Sequence, residues 1–182
     1  MPTIVIVGGG ASGAVLAAHL LRYGTSPLTI RILEPRAVLG QGVAYSTAYV
    51  SHLLNVRAGD MSAFRNAPDH FVEWLRGNIR ADADSDAFAS RVHYGAYLQH
   101  TLGDAGRRAR PDMRLEHVRA KAQRVSPLRD GFEIATDDGR GIRADNVVLA
   151  LGNSHSRLNT KNETIQVANA WSANAGCRLL RR

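Results

Sequence analysis

Three glycines, a serine and a glutamate near the amino terminus have the types and spacing needed to hold a dinucleotide. The run Gly8-Gly9-Gly10-Ala11-Ser12-Gly13 follows the apolar residues Ile4-Val5-Ile6-Val7 and precedes an apolar stretch from Ala14 to Leu21. In a G-x-G-x-x-G loop between strand and helix, Gly8 lets the chain turn tightly and Gly10 leaves room for a pyrophosphate. Gly13 lets the helix pack closely on the strand. Unpaired N–H groups where the helix opens at Ala11, together with the positive end of its macrodipole, stabilise a phosphate, and the Ser12 hydroxyl adds a donor. Glu34 stands 21 residues after Gly13 at the end of a second apolar run, Leu28 to Leu33. A carboxylate there can accept hydrogen bonds from the hydroxyls of an adenosine ribose.

The elements that must position these residues read as an α/β domain. Ile4–Val7 and Leu28–Leu33 suit buried parallel strands, and apolar positions Val15, Leu16, Leu20 and Leu21 suit the helix between them. Phe71, Trp74 and Leu75 mark the inward face of a helix with Asp69 as its N-cap, and a loop rich in Ala, Asp and Ser covers 77–90. Val92, Ala96, Tyr97 and Leu102 recur near helical spacing and predict a helix from Val92 to about Leu102. From Arg114 the period changes. Leu115, Val118, Ala120 and Ala122 read as one strand, Asp130-Gly131 and Asp137-Asp138-Gly139 as turns, and Phe132–Thr136 as a strand between them, together an antiparallel meander. Asn146 to Leu151 is an apolar strand that stops on Gly152, with Asn153 next.

Further residues gather around the first loop. Gly40 and Gly42, just past the second strand, leave the backbone room beside the pyrophosphate, or form an ordinary turn. Asn55 has an amide that both donates and accepts, which suits a flavin ring edge and equally a turn or cap. Gly152, at the carboxyl end of a strand of the parallel sheet, falls where open α/β sheets bind ligands. The glycine loop and Glu34 by themselves do not separate NAD from FAD.

Composition bounds the remaining possibilities. A chain of 182 residues with 45% hydrophobic content holds one sizeable core, or a domain with a tail. The formal charge of +7 is densest over Arg107 to Arg124. That stretch lacks interleaved aromatics and matches no nucleic-acid motif, so it reads as a solvated basic face able to attract an anionic cofactor or substrate. The glycines, Ser12 and His19 interrupt the first apolar stretch, which argues against a signal peptide or membrane span. One cysteine, Cys177, permits no intrachain disulfide and fits a reducing cytoplasm. The histidines, among them His52, His70, His93 and His100, show no metal-ligand spacing, and no nucleophile motif stands out. No catalytic side chain is assigned. The oligomeric state is not legible.

The order of these motifs resembles the FAD-binding half of flavoproteins with two dinucleotide-binding domains, in which a Rossmann-like parallel sheet with flanking helices carries an antiparallel β-meander. The strand that ends Ala-Thr-Gly in those proteins is Ala150-Leu151-Gly152 here, with leucine for threonine. More closely, GGGASG, LEPR, GQGVAYST, HLLNV, DHFVEWL and YGAYL resemble a bacterial FAD/NAD(P)-binding family that includes FAD-dependent urate hydroxylases and L-aspartate N-monooxygenases. The resemblance covers roughly residues 3–153. It implies FAD along Gly8, Gly10, Ala11, Ser12, Gly13 and Glu34, with Gly40, Gly42 and Asn55 nearer the flavin, backbone around Ala122 facing the adenine, and Gly152 on the cofactor. It also implies NAD(P)H as reductant and oxygenation of a small molecule. Residues 1–153 are then the FAD domain. Residues 154–182 read as an irregular tail, the truncated start of an NAD(P)H-binding domain, with part of the flavin site beyond it.

Overall fold

The computed structural model describes residues 1–152 and the backbone of residues 166–167 and 178–180. Apart from those two pieces, the tail expected over 154–182, Cys177 included, lies outside the described residues.

Strand β1 (Thr3–Val7) is the centre of the molecule. It pairs in parallel with β2 (Leu28–Leu33) on one side and with β7 (Asn146–Leu149) on the other, with Ile6 opposite both Ile32 and Val148. A strand with neighbours on both edges and layers on both faces has no polar environment, which is why Val5, Ile6 and Val7 are all apolar and buried. Side chains alternate between the faces. Ile6, Ile30, Ile32 and Val148 pack with helix α1 (Ala11–Tyr23) and helix α3 (Arg91–Arg108). Val5, Val7, Leu33 and Val147 instead pack with β4 (Ala122–Pro127), β5 (Phe132–Thr136) and β6 (Gly141–Ala144). The result is helices, parallel sheet and antiparallel meander in three layers.

One expectation needs correction. The residues from Arg114 to Ala122 are not one meander strand. Met113–Val118 forms β3, which pairs in parallel with β2 at the edge of the central sheet, and the meander begins only at Ala122. The apolar positions Leu115 and Val118 serve the first sheet while Ala122 serves the second, and periodicity along the chain does not reveal which layer buries a residue. The sheet orders are β3-β2-β1-β7-β9 and β6-β5-β4-β8, where β8 is Gln166–Val167 and β9 is Arg178–Leu180. In helix α2 (His70–Asn78), Asp69 occupies the N-cap position as expected, and its side chain makes no capping bond. Helix α3 is capped by its flanking residue instead: the Ser90 hydroxyl oxygen accepts the Val92 N–H at 3.2 Å.

Helix α1 buries Gly13, Ala14, Ala17, Ala18 and Leu21, with Val15, Leu16 and Leu20 only half-buried at the flanks. Small residues on the inward face bring α1 close to the sheet and to α3. Helix α3 runs six residues beyond Leu102, because Ala105 still has the core to pack on. Near its end several charges pair: Arg107 and Arg108 share Asp104 at 3.4 and 3.2 Å, Arg110 reaches Asp112 at 2.7 Å, and Arg31 reaches Glu116 at 2.7 Å.

A smaller apolar cluster joins α2 to α3 through Phe71, Val72, Leu75, Tyr94, Tyr97 and Leu98. Within it Tyr97 is fully buried; its hydroxyl oxygen accepts the Ala63 N–H at 2.9 Å and meets His70 Nδ1 at 2.8 Å. Burial holds the His70 imidazole below its ordinary pKa, with the Arg22 charge acting the same way. The folded state therefore resists protonation of His70, and this contribution to stability is lost as pH falls below about 6.5 toward the lower folded value. Thermal unfolding of His70→Asn, measured at pH 7 and pH 5, is expected to show a shallower decline than the unsubstituted chain.

Candidate dinucleotide-binding site

The glycine loop leaves β1 in a conformation that depends on Gly8. Its φ is +105°, and a Cβ added there would lie 2.3 Å from the Ala150 carbonyl oxygen. The Gly8 N–H donates to Leu33 O at 2.9 Å and the Ala150 N–H to Val7 O at 2.8 Å, so the loop is wedged between the ends of β2 and β7. Gly13 performs the packing role expected of it: a Cβ would stand 2.0 Å from Gly8 O and 3.3 Å from Ile6 Cγ2. The first intrahelical bond of α1 is Ala14 N–H to Gly10 O, at 2.9 Å. The N–H groups of Ala11, Ser12 and Gly13 thus precede the helical ladder. No side chain caps them, the first turn holds no acid, and Ser12 is exposed. An electropositive helix end kept bare of carboxylates fits a phosphate.

Gly10 also makes room inside the protein. A Cβ on Gly10 would point at Gly42 Cα, 3.3 Å away, and one on Gly42 would meet Gly10 Cα at 3.1 Å. The absent side chain makes room for the second glycine loop. That loop is fixed by the Gly40 N–H donating to Gly9 O at 2.8 Å, and it runs with φ of +93° at Gly40 and +54° at Gly42. Behind it lies α3, where a Cβ on Gly40 would approach Leu98 Cβ to 3.1 Å and one on Gly95 would approach Tyr45 O to 2.8 Å. Gly95 is a participant that sequence reasoning missed. Its only signal was a glycine inside a helical pattern.

Glu34 is 8% exposed although it carries a charge. Its Oε2 accepts the Gly9 N–H at 3.0 Å and its Oε1 accepts the Arg36 N–H at 3.2 Å, with Arg36 Nε 3.7 Å from the same oxygen. Its backbone is held as well: the Glu34 N–H donates to Val118 O at 3.1 Å, and Glu34 O lies 2.9 Å from His117 Nε2. Gly9, Arg36 and His117 were not anticipated. The Gly9 and His117 contacts join segments whose adjacency only the folded sheet creates, whereas Arg36 is two residues along the chain.

Of the other expected residues, Gly152 is exposed with φ +68°, and among the described residues no atom lies within 4 Å of a built Cβ. Ala122 is buried at the start of β4, packed with Val5, Val7 and Leu33; beside it, Lys121 and Asp137 exchange the bonds Lys121 N–H to Asp137 Oδ1 and Asp137 N–H to Lys121 O, both at 2.9 Å. Asn55 is exposed on a segment tied to the start of α3, where Arg91 reaches Leu53 O at 3.0 Å and Ala44 O at 3.4 Å. The structure therefore brings Gly8, Gly10, Gly13, Gly40, Gly42, Glu34 and Gly152 around one strand end, with Ala122 on the meander side and Asn55 farther along the surface. Tyr45 and Tyr94 pack edge to face at 4.8 Å next to this loop, and burial pushes both phenols above their ordinary pKa, so both stay neutral.

A family described as FAD-NAD(P)-binding matches residues 5–154. No curated protein matches the sequence. Among solved structures, a flavin-containing monooxygenase from Stenotrophomonas maltophilia is 25% identical, with a TM-score of 0.56 over 84% of this chain and 39% of that one. Cyclohexanone monooxygenase from Rhodococcus sp. Phi1, bound to NADP+, is 21% identical, with a TM-score of 0.55 over 84% of this chain and 26% of that one. Tetracycline destructase Tet(51) is 19% identical, with a TM-score of 0.54 over 88% of this chain and 42% of that one. The chain thus spans less than half the length of each of these proteins, and the last two likenesses concern the fold.

Proposed function

The chain belongs to the FAD-NAD(P)-binding family, and from that premise we propose that it is the FAD-holding portion of a flavin-dependent monooxygenase that takes NAD(P)H as reductant and acts on a small molecule. The observation that carries this reading is the convergence of bare backbone at one strand end: the uncapped start of α1, the loop at Gly40–Gly42 and the exposed Gly152 meet beside a buried carboxylate.

In this reading the N–H groups of Ala11, Ser12 and Gly13 receive the pyrophosphate and the Ser12 hydroxyl supports them. Glu34 accepts the ribose hydroxyls, held in orientation by the Gly9 N–H and by the contact of its carbonyl with His117. The turn at Lys121–Ala122 borders the adenine. Gly40, Gly42 and Gly152 keep side chains away from the path toward the ring system, and Asn55 lies at its far end. Bound flavin supplies the redox and oxygen chemistry; the chain binds, orients and shields it. We assign this task to residues 1–153. Among the described residues no helix is long and apolar enough to cross a membrane, and a cytoplasmic location is part of the proposal, supported by Cys177 as the single cysteine.

Calorimetric titration with FAD and NAD side by side tests the reading. The purified chain is expected to be yellow or to take up FAD, releasing it on denaturation, with FAD bound far more tightly than NAD. A colourless protein that ignores added FAD overturns it. Preference for NAD makes the chain a nicotinamide module instead.

A further inference from the structure

A cleft of about 510 Å³ opens between α1, α2 and α3, on residues with no part in the cofactor site. Arg22 on its rim is eleven residues beyond Ala11, which at the helical rise is about 17 Å along α1 from the glycine loop. The volume lies within the range of small-molecule sites.

Two polar atoms among its lining residues have no hydrogen-bond partner of good geometry: the indole Nε1–H of Trp74, and Oγ1 of Thr101, a residue only 4% exposed. Buried polar atoms are almost always satisfied, and an orphaned one is costly. Two beside the same cleft call for an acceptor supplied from outside. The indole N–H only donates, so the missing partner is an oxygen or nitrogen with a lone pair.

The charges point the same way. Arg22 lies over the Phe64 ring, its guanidinium carbon 4.3 Å from the centroid, and no described carboxylate pairs with it. Asp104, the acid deeper along α3, is already held by Arg107 and Arg108. The cleft therefore offers one uncommitted, stacked guanidinium, which suits a carboxylate. Glu73, also on the lining and exposed, disfavours a second negative group. The lining is aromatic: Trp74 and His100 are tilted at 49° with centroids 6.3 Å apart, and Phe64 and His70 stand edge to face with centroids 4.9 Å apart. Rings so arranged offer faces and edges to a further aromatic ring.

We propose that this cleft is a second small-molecule site, separate from the dinucleotide site, that takes a planar aromatic monocarboxylate, with the carboxylate on Arg22 and acceptor atoms reaching Trp74 and Thr101. The proposal does not depend on the identity of the cofactor.

Saturation-transfer NMR on the full chain, with and without FAD, tests it using benzoate and indole-3-carboxylate as probes. Their neutral amides and the dianion phthalate serve as comparisons. Saturable binding of both carboxylates is expected, weaker for the amides and phthalate and unchanged by FAD. Arg22→Gln, a change on an exposed residue that leaves the fold intact, is expected to weaken binding about tenfold or more, the loss of a charge-assisted hydrogen bond. Thr101→Val is expected to weaken binding while leaving the free protein as stable as before or more so, because it removes an unsatisfied hydroxyl. A purely structural Thr101 would not separate those two readouts. The proposal fails if neither carboxylate binds saturably, if FAD displaces them, or if both variants bind as tightly as the unsubstituted chain.

Discussion

Gly13→Ala is expected to abolish FAD uptake and to lower the stability of the whole domain. The added Cβ would stand 2.0 Å from the Gly8 carbonyl oxygen, a backbone atom in a loop that itself has no slack, since Gly8 is pressed against Ala150. Relief requires α1 to move away from β1 or Gly8 to move into the end of β7. Overpacking of this kind costs about 1–3 kcal/mol, and a rigid backbone neighbour puts the cost at the upper end. The same displacement carries the N–H groups of Ala11–Gly13 off their common target. Several aligned donors are lost together, so the fall in FAD affinity is expected to exceed about 100-fold, the equivalent of roughly 3 kcal/mol. Thermal unfolding and a flavin fluorescence titration report the two effects separately. Gly10→Ala is the instructive companion. Its Cβ would meet Gly42 Cα at 3.3 Å, a contact that a few tenths of an ångström relieve, so its stability loss should be clearly smaller. Equal losses in the two variants would contradict the packing described for the loop.

Replacing Glu34 is the second large effect, and the choice of substitute separates two roles. Glu34→Gln keeps the shape and leaves an oxygen for the Gly9 N–H, but removes the charge that strengthens hydrogen bonds from ribose hydroxyls. Bonds to a charged group are worth about 1.5–3 kcal/mol, so FAD affinity is expected to fall roughly 10- to 100-fold with little change in melting temperature. Glu34→Ala also strips the buried Gly9 N–H of its partner at a cost of about 1–3 kcal/mol, and it should lower the melting temperature as well. If the glutamine variant binds FAD like the unsubstituted chain, the carboxylate is a loop anchor and not a ribose ligand.

Much of this was legible from residue order. Four apolar residues, a G-x-G-x-x-G run, a helical pattern and an acid at the end of the next strand define a local unit whose geometry follows from short-range spacing. The turns at Gly131 and Gly139 were legible for the same reason, and both glycines have positive φ in the structure. What failed was the allocation of Met113–Val118. Its apolar residues fit a meander strand as well as a fourth parallel strand, and only the vacant edge of β2 decides between them. The packing partner of Gly10 was not legible either, because the neighbour that needs the space, Gly42, arrives from a loop over thirty residues later.

The sequence by itself determined the strand–loop–helix at Gly8–Gly13, the acid at Glu34 and the α/β class, because backbone turns, helix starts and strand alternation are set by residues within a few positions of one another. Tertiary structure decided that Gly40–Gly42 closes over Gly10, that Gly152 emerges beside Gly8, and that Glu34 is buried on the Gly9 N–H. It also decided that Trp74, Thr101 and Arg22 share one cleft. Those adjacencies join segments remote in the chain. They follow from burying both faces of β1 at once, which fixes the helical layer on one side and the meander on the other.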